Sequence, residues 1–107
     1  MRTWIVIGVI ATLAANGVVA ADLEAAKKKV SEVCQACHGM DGNSQVPDYP
    51  KLAGQNQDYL AKALRDYKSG ARKDPTMNGF AGTLTAQDID NLAAYYSRQP
   101  AVLQSRM

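Results

Sequence analysis

The sequence predicts an all-α domain with three main helices and two long irregular connections. Three observations carry that expectation. Apolar residues recur at helical spacing in three separate stretches, glycine and proline punctuate the segments between them, and neither segment alternates as a half-buried strand would.

The 107-residue chain opens with Met1-Arg2-Thr3, short and positively charged, followed by an almost wholly apolar run from Trp4 to Ala15. Asn16 and Gly17 break the run, and Val18-Val19-Ala20-Ala21 supplies small residues. This is the order of a secretory signal peptide, predicted over residues 1–21 with cleavage after Ala20 or Ala21. A retained membrane anchor is the alternative, but a spanning helix needs about 20 apolar residues and this core is shorter. Cleavage would place the protein in the periplasm and leave residues 22–107 as one domain. A domain of that size buries a modest fraction of its surface and often needs a staple. The formal net charge of +2 gives no indication of nucleic-acid binding.

The first helix is expected from Asp22 to Cys34. Asp22 is a suitable N-cap, and Glu24 places negative charge in the first turn. Leu23, Ala26, Val30, Val33, Cys34 and Cys37 fall near one face if the helical phase persists. Lys27, Lys28 and Lys29 lie mostly off it, as a docking patch or, more simply, a solvated surface. The second helix is expected over residues 57–69, with Asn56 as N-cap and Gly70 at the left-handed position that closes it. Its apolar stripe is Leu60, Ala63, Leu64 and Tyr67, and Asp58 stands four residues before Lys62 on the wet side. The third is expected over residues 86–98. Thr85 and Asp88 form a variant capping box, Leu84 and Ile89 a staple, and Ile89, Leu92, Ala93 and Tyr96 the buried stripe. Pro100 stops it. Residues 39–55 and 70–84 are read as loops, and loops this long are uncommon without a function or something to pack on.

Directly after the first helix stands Cys34-Gln35-Ala36-Cys37-His38. C-x-x-C-H is the attachment pattern of c-type haem. Two cysteines three positions apart reach the two vinyl groups on one porphyrin edge, and the adjacent histidine reaches the iron as proximal ligand. A thioredoxin-like pair expects a strand before the motif, whereas an amphipathic stretch precedes it here. Zinc needs four ligands, and the chain holds two Cys and one His. A plain disulfide explains the cysteines but not His38.

Given a haem, the opposite axial ligand follows by elimination. His38 is the sole histidine. Met1 leaves with the signal peptide, Met40 is too near His38 to reach the far face, and Met107 is the last residue. Met77, 39 residues after His38, lies in the second loop and can present its sulfur. A backbone carbonyl near Pro50 is a candidate acceptor for the other ring nitrogen of His38, and Leu52 a candidate for packing on the ring. Gly39 and Gly42 give the backbone room to turn.

In this order the residues resemble a class I c-type cytochrome of the short bacterial periplasmic monohaem type, similar to one half of the dihaem cytochromes. The anchors are Cys34 through Gly39, Gly42, Tyr49 through Gln55, Tyr59-Leu60, Leu64, Gly70-Ala71-Arg72, Met77, Leu84-Thr85 and Ala93 through Tyr96. The resemblance implies one covalent haem c in a crevice between crossing first and last helices. It implies thioethers from Cys34 and Cys37, axial ligation by His38 and Met77, and the Pro50 carbonyl orienting His38.

Six ligands leave no open position on iron, so the expectation is an electron carrier and not an enzyme. Its partners are expected to be redox proteins docked transiently, with Lys51, Arg72 and Lys73 flanking the crevice, Asp48 and Asp74 diluting their charge, and the chain itself a monomer. A haem-bearing subunit of a larger dehydrogenase or reductase is the alternative. A ligand sensor or peroxidase-like enzyme would require Met77 off the iron.

Overall fold

The structure, a computed structural model, describes residues 20–102 together with the isolated positions Thr3 and Gly8. Apart from those two positions, the expected signal-peptide segment before Ala20 lies outside the described residues, as does the terminal Met107.

The described chain is helical, with no strand among the described residues. Helix α1 spans Leu23–Lys29 and runs without interruption into a π-helical turn, Val30–Cys34, and then into α2, Gln35–His38. The Asp22 carboxylate caps α1 by accepting from the Ala25 amide at 3.0 Å. The helical path therefore extends past Cys34 to the histidine, and its phase changes on the way. Ala26 and Val30 are buried, whereas Leu23, expected on the same face, is exposed.

Helix α3, Gln57–Ser69, starts at Asn56, whose side-chain oxygen accepts from the Tyr59 amide at 3.0 Å. It ends at Gly70 in the left-handed conformation, φ 84°. Leu60 and Ala61 face the core, while Ala63, Leu64 and Tyr67 are only half-buried and line a crevice. The predicted stripe is thus divided between core and site. Lys62 pairs forward with Asp66 at 2.5 Å, not back to Asp58.

Residues 70–84 are not wholly a loop. Helix α4, Pro75–Gly82, occupies most of the segment. Asp74 accepts from the Thr76 and Met77 amides at 3.0 and 3.1 Å, and Pro75 stands where a missing N–H costs nothing. Gly79 and Gly82 weaken the helical signal in sequence, but the cap and the packing of α4 on α3 override it.

Helix α5, Ala86–Ser97, carries the complete capping box. The Thr85 hydroxyl accepts from the Asp88 amide at 3.0 Å, and the Asp88 carboxylate accepts from the Thr85 amide at 3.0 Å. Thr85→Ala is expected to cost about 1 kcal/mol, read as a lower urea midpoint with unchanged slope. Helix α5 packs against both α1 and α3. Ile89, Leu92 and Tyr96 join Val30 and Leu60 in a single core. A buried amide ties the first helix to the last: Asn91 Oδ1 accepts from the Asp22 amide at 2.8 Å and from Gln87 at 2.7 Å.

Candidate functional site

The core closes on only one side. Between α2, α3, α4 and the 39–55 loop lies a mainly apolar crevice of about 290 Å³, at the low end of the range for small-molecule sites. All six residues singled out in the sequence line it: Cys34, Cys37, His38, Pro50, Leu52 and Met77.

Cys34 and Cys37 come from the π turn and α2, and both thiols are free. Burial pushes the Cys34 thiol up, opposed by its contact with the Tyr96 hydroxyl and by the charge of Lys29. His38 is buried, and its Nδ1 lies 2.9 Å from the Pro50 carbonyl oxygen. A carbonyl can only accept, so Nδ1 carries the proton and Nε2 keeps its lone pair.

The acceptor is fixed by the loop around it. The Leu52 and Ala53 amides both donate to the Gly42 carbonyl, at 2.8 and 3.1 Å. Gly42, at φ 74°, lies so close to the Tyr96 ring and the Ala53 amide that a side chain has no room. Asn43, also buried, donates through Nδ2 to the Pro100 carbonyl at 2.9 Å and accepts at Oδ1 from the Val102 amide at 2.7 Å. These bonds clasp the segment after α5 to the loop that carries Pro50.

Two tyrosines of α5 hold the chain just beyond the histidine. The Tyr96 hydroxyl donates to the Gly39 carbonyl at 3.1 Å, and that of Tyr95 to the Met40 carbonyl at 2.8 Å. Burial raises the pKa of both hydroxyls above the ordinary 10.0, Tyr96 very strongly. The unfolded chain then loses these protons first, so stability falls as pH rises past 10.0. Tyr96→Phe should be less stable at neutral pH yet show a flatter decline above pH 10.0, read from urea midpoints across the alkaline range.

Met77 reaches the crevice from the first turn of α4, and Phe80, one turn later, joins it. Tyr49 stands edge-on to His38, ring centroids 6.4 Å apart. Neither Phe80 nor Tyr49 was singled out as a site residue. Phe80 was readable only with α4 in hand, and the signal for that helix was Asp74-Pro75. Of the three loop cations expected beside the site, Lys51 and Arg72 line it and Lys73 does not; Asp48 and Asp74 also line it. The Arg72 guanidinium lies 4.8 Å over the Tyr67 ring.

Two unoxidised thiols, an imidazole with its outer nitrogen already engaged and a thioether share one apolar crevice, a donor set that fits a covalently held haem. This fold and crevice define a c-type cytochrome, a class whose members carry electrons on haem c.

Residues 21–95 match the family described as cytochrome c oxidase, cbb3-type, subunit III. The chain belongs to this family of c-type cytochromes, and its cofactor is haem c. Cytochrome c4 of Stutzerimonas stutzeri is 42% identical over 106 residues, covering 89% of this chain and 50% of the relative. Cytochrome c-554(548) of Halomonas halodenitrificans is 41% identical over 83 residues, covering 75% of this chain and 99% of the relative. The crystal structure of reduced recombinant cytochrome c4 from Pseudomonas stutzeri superposes with a TM-score of 0.72 at 45% identity, covering 78% of this chain and 48% of that one. The chain thus spans about half the length of the cytochrome c4 relatives it matches. The expected class I fold and its likeness to one half of a longer cytochrome agree with these matches. Among the described residues, no helix is long and apolar enough to cross a membrane.

Proposed function

We propose that this chain is a periplasmic one-electron carrier, exported by a signal peptide over residues 1–21, that performs no chemistry on a substrate. One observation carries the reading: both thiols, His38 and Met77 face a single apolar crevice. Bound there, haem c supplies a one-electron couple. Cys34 and Cys37 would hold it as thioethers, and His38 Nε2 and the Met77 sulfur would close the two axial sides. The Pro50 carbonyl orients the imidazole, and Leu52 and its apolar neighbours exclude water. With both residues ligating, the iron would exchange nothing but an electron. Docking is transient and the carrier is a monomer.

Intact mass and a redox-titrated absorption spectrum of the secreted protein test this. The expected result is one covalent haem on a chain cut after Ala20 or Ala21, one reversible one-electron transition, and no rapid change with carbon monoxide or cyanide. A chain without porphyrin mass, or one that binds cyanide at once, would overturn it.

The family description favours a second reading, a haem subunit fixed in a larger oxidase, dehydrogenase or reductase complex. Size-exclusion of a fresh periplasmic extract separates the two: a carrier elutes at its own mass, a subunit with its complex.

A further inference from the structure

Met77 sits in the first turn of α4, where backbone amides have no partner within the helix. Its own amide is held by Asp74 Oδ1. Little apolar burial secures this short helix: Ala81 is its one buried residue, and Gly79 and Gly82 lie within it. Beyond the Asp74 cap and the packing on α3, the turn is tied down by the side chain beside Met77. Asn78 Oδ1 accepts from the Asp74 amide at 2.9 Å. Asn78 Nδ2 donates twice, to the Tyr67 carbonyl near the end of α3 and to the Arg72 carbonyl in the connection, each at 2.8 Å. The Asn78 backbone amide adds a bond to the Asp74 carbonyl at 2.7 Å. Two carbonyls and one N–H around one amide fix its orientation, and both amide hydrogens are used.

We propose that Asn78 is the positioning residue that keeps Met77 on the sixth coordination site, by tying the first turn of α4 to the last turn of α3. The proposal rests on the reading of Met77 as an axial ligand. A thioether is a soft, neutral donor and holds ferric iron less firmly than ferrous. The ferric state therefore depends most on how well the chain presents the sulfur. Asn78 does not line the crevice and acts only through the backbone on either side of Met77.

The test uses the ferric holoprotein with cyanide as probe. Asn78→Asp keeps the shape of the side chain but turns a carboxylate towards two carbonyls. Asn78→Ala removes the amide without that repulsion and serves where the Asp variant does not mature. Both should retain covalent haem and helicity, bind cyanide about tenfold faster or more, given the loss of two or three hydrogen bonds, and weaken the methionine-to-ferric-iron charge-transfer absorption. Ile89→Ala, a core truncation outside the crevice, should lower stability without changing the cyanide rate. Wild-type cyanide kinetics and charge-transfer absorption in a mature Asn78 variant would overturn the proposal. So would an Ile89→Ala variant that accelerates cyanide binding equally, because general loosening would then suffice. Met77→Ala isolates the underlying reading: if it leaves the ferric spectrum unchanged, Met77 is no ligand, whatever Asn78 does.

Discussion

Met77→Ala is expected to lower the reduction potential of the holoprotein and to open its ferric iron to cyanide and its ferrous iron to carbon monoxide. Removing the sulfur leaves His38 as the one protein ligand of the proposed pair. A methionine opposite histidine raises the potential, and axial ligation spans about 0.8 V across haem proteins, so the fall should be large and readable by titration. The fold should survive. Asp74 caps the turn through backbone amides, and the Asn78 bonds do not involve the Met77 side chain. Alanine is also a better helix former than methionine. A variant with wild-type potential and no affinity for either ligand would remove methionine ligation from the function proposed here.

Gly42→Ala should be the most destabilising single-methyl substitution in the loop that holds the histidine. A Cβ there would lie 2.7 Å from Tyr96 Cδ1 and 2.8 Å from the Ala53 amide nitrogen, and φ is 74°. The Tyr96 ring is buried in the core and Ala53 is backbone, so neither gives way cheaply. Positive φ in a non-glycine residue and overpacking each cost about 1–3 kcal/mol. The sum, on the order of 2–6 kcal/mol, should appear as a large drop in urea midpoint. It should also disturb the haem spectrum, because the Gly42 carbonyl receives the Leu52 and Ala53 amides and so sets the course of the chain past Pro50. A variant of wild-type stability would mean that the turn has room it is not shown to have.

Capped helices and a contiguous motif were readable because their signals are local. Asp22, Asn56 and Thr85 each announce a helix within four residues, and C-x-x-C-H states its chemistry in five. Helix α4 was obscured because two glycines and a proline resemble a loop, although Asp74-Pro75 is itself a start signal. The π turn had no local signal, since Val30 through Cys34 reads as ordinary helix. The Asn43 clasp joins positions 57 and 59 residues apart in sequence, and pattern along a chain does not report such pairs. Asn78 is hidden for a related reason: only its three backbone partners reveal a brace.

The wide turn at Val30–Cys34 also bears on how the gene can change. Each residue of a regular helix advances the winding by about 100°, and a π turn holds one residue more than the regular spiral needs. An in-frame loss of one codon between Val30 and Val33 would restore the regular spiral and leave the thiols and the imidazole on much their present heading. The same loss anywhere in residues 27–29 would swing Ala26 or Val30 off α5. Length variation among descendants of this sequence should therefore be tolerated inside that turn and purged immediately upstream of it.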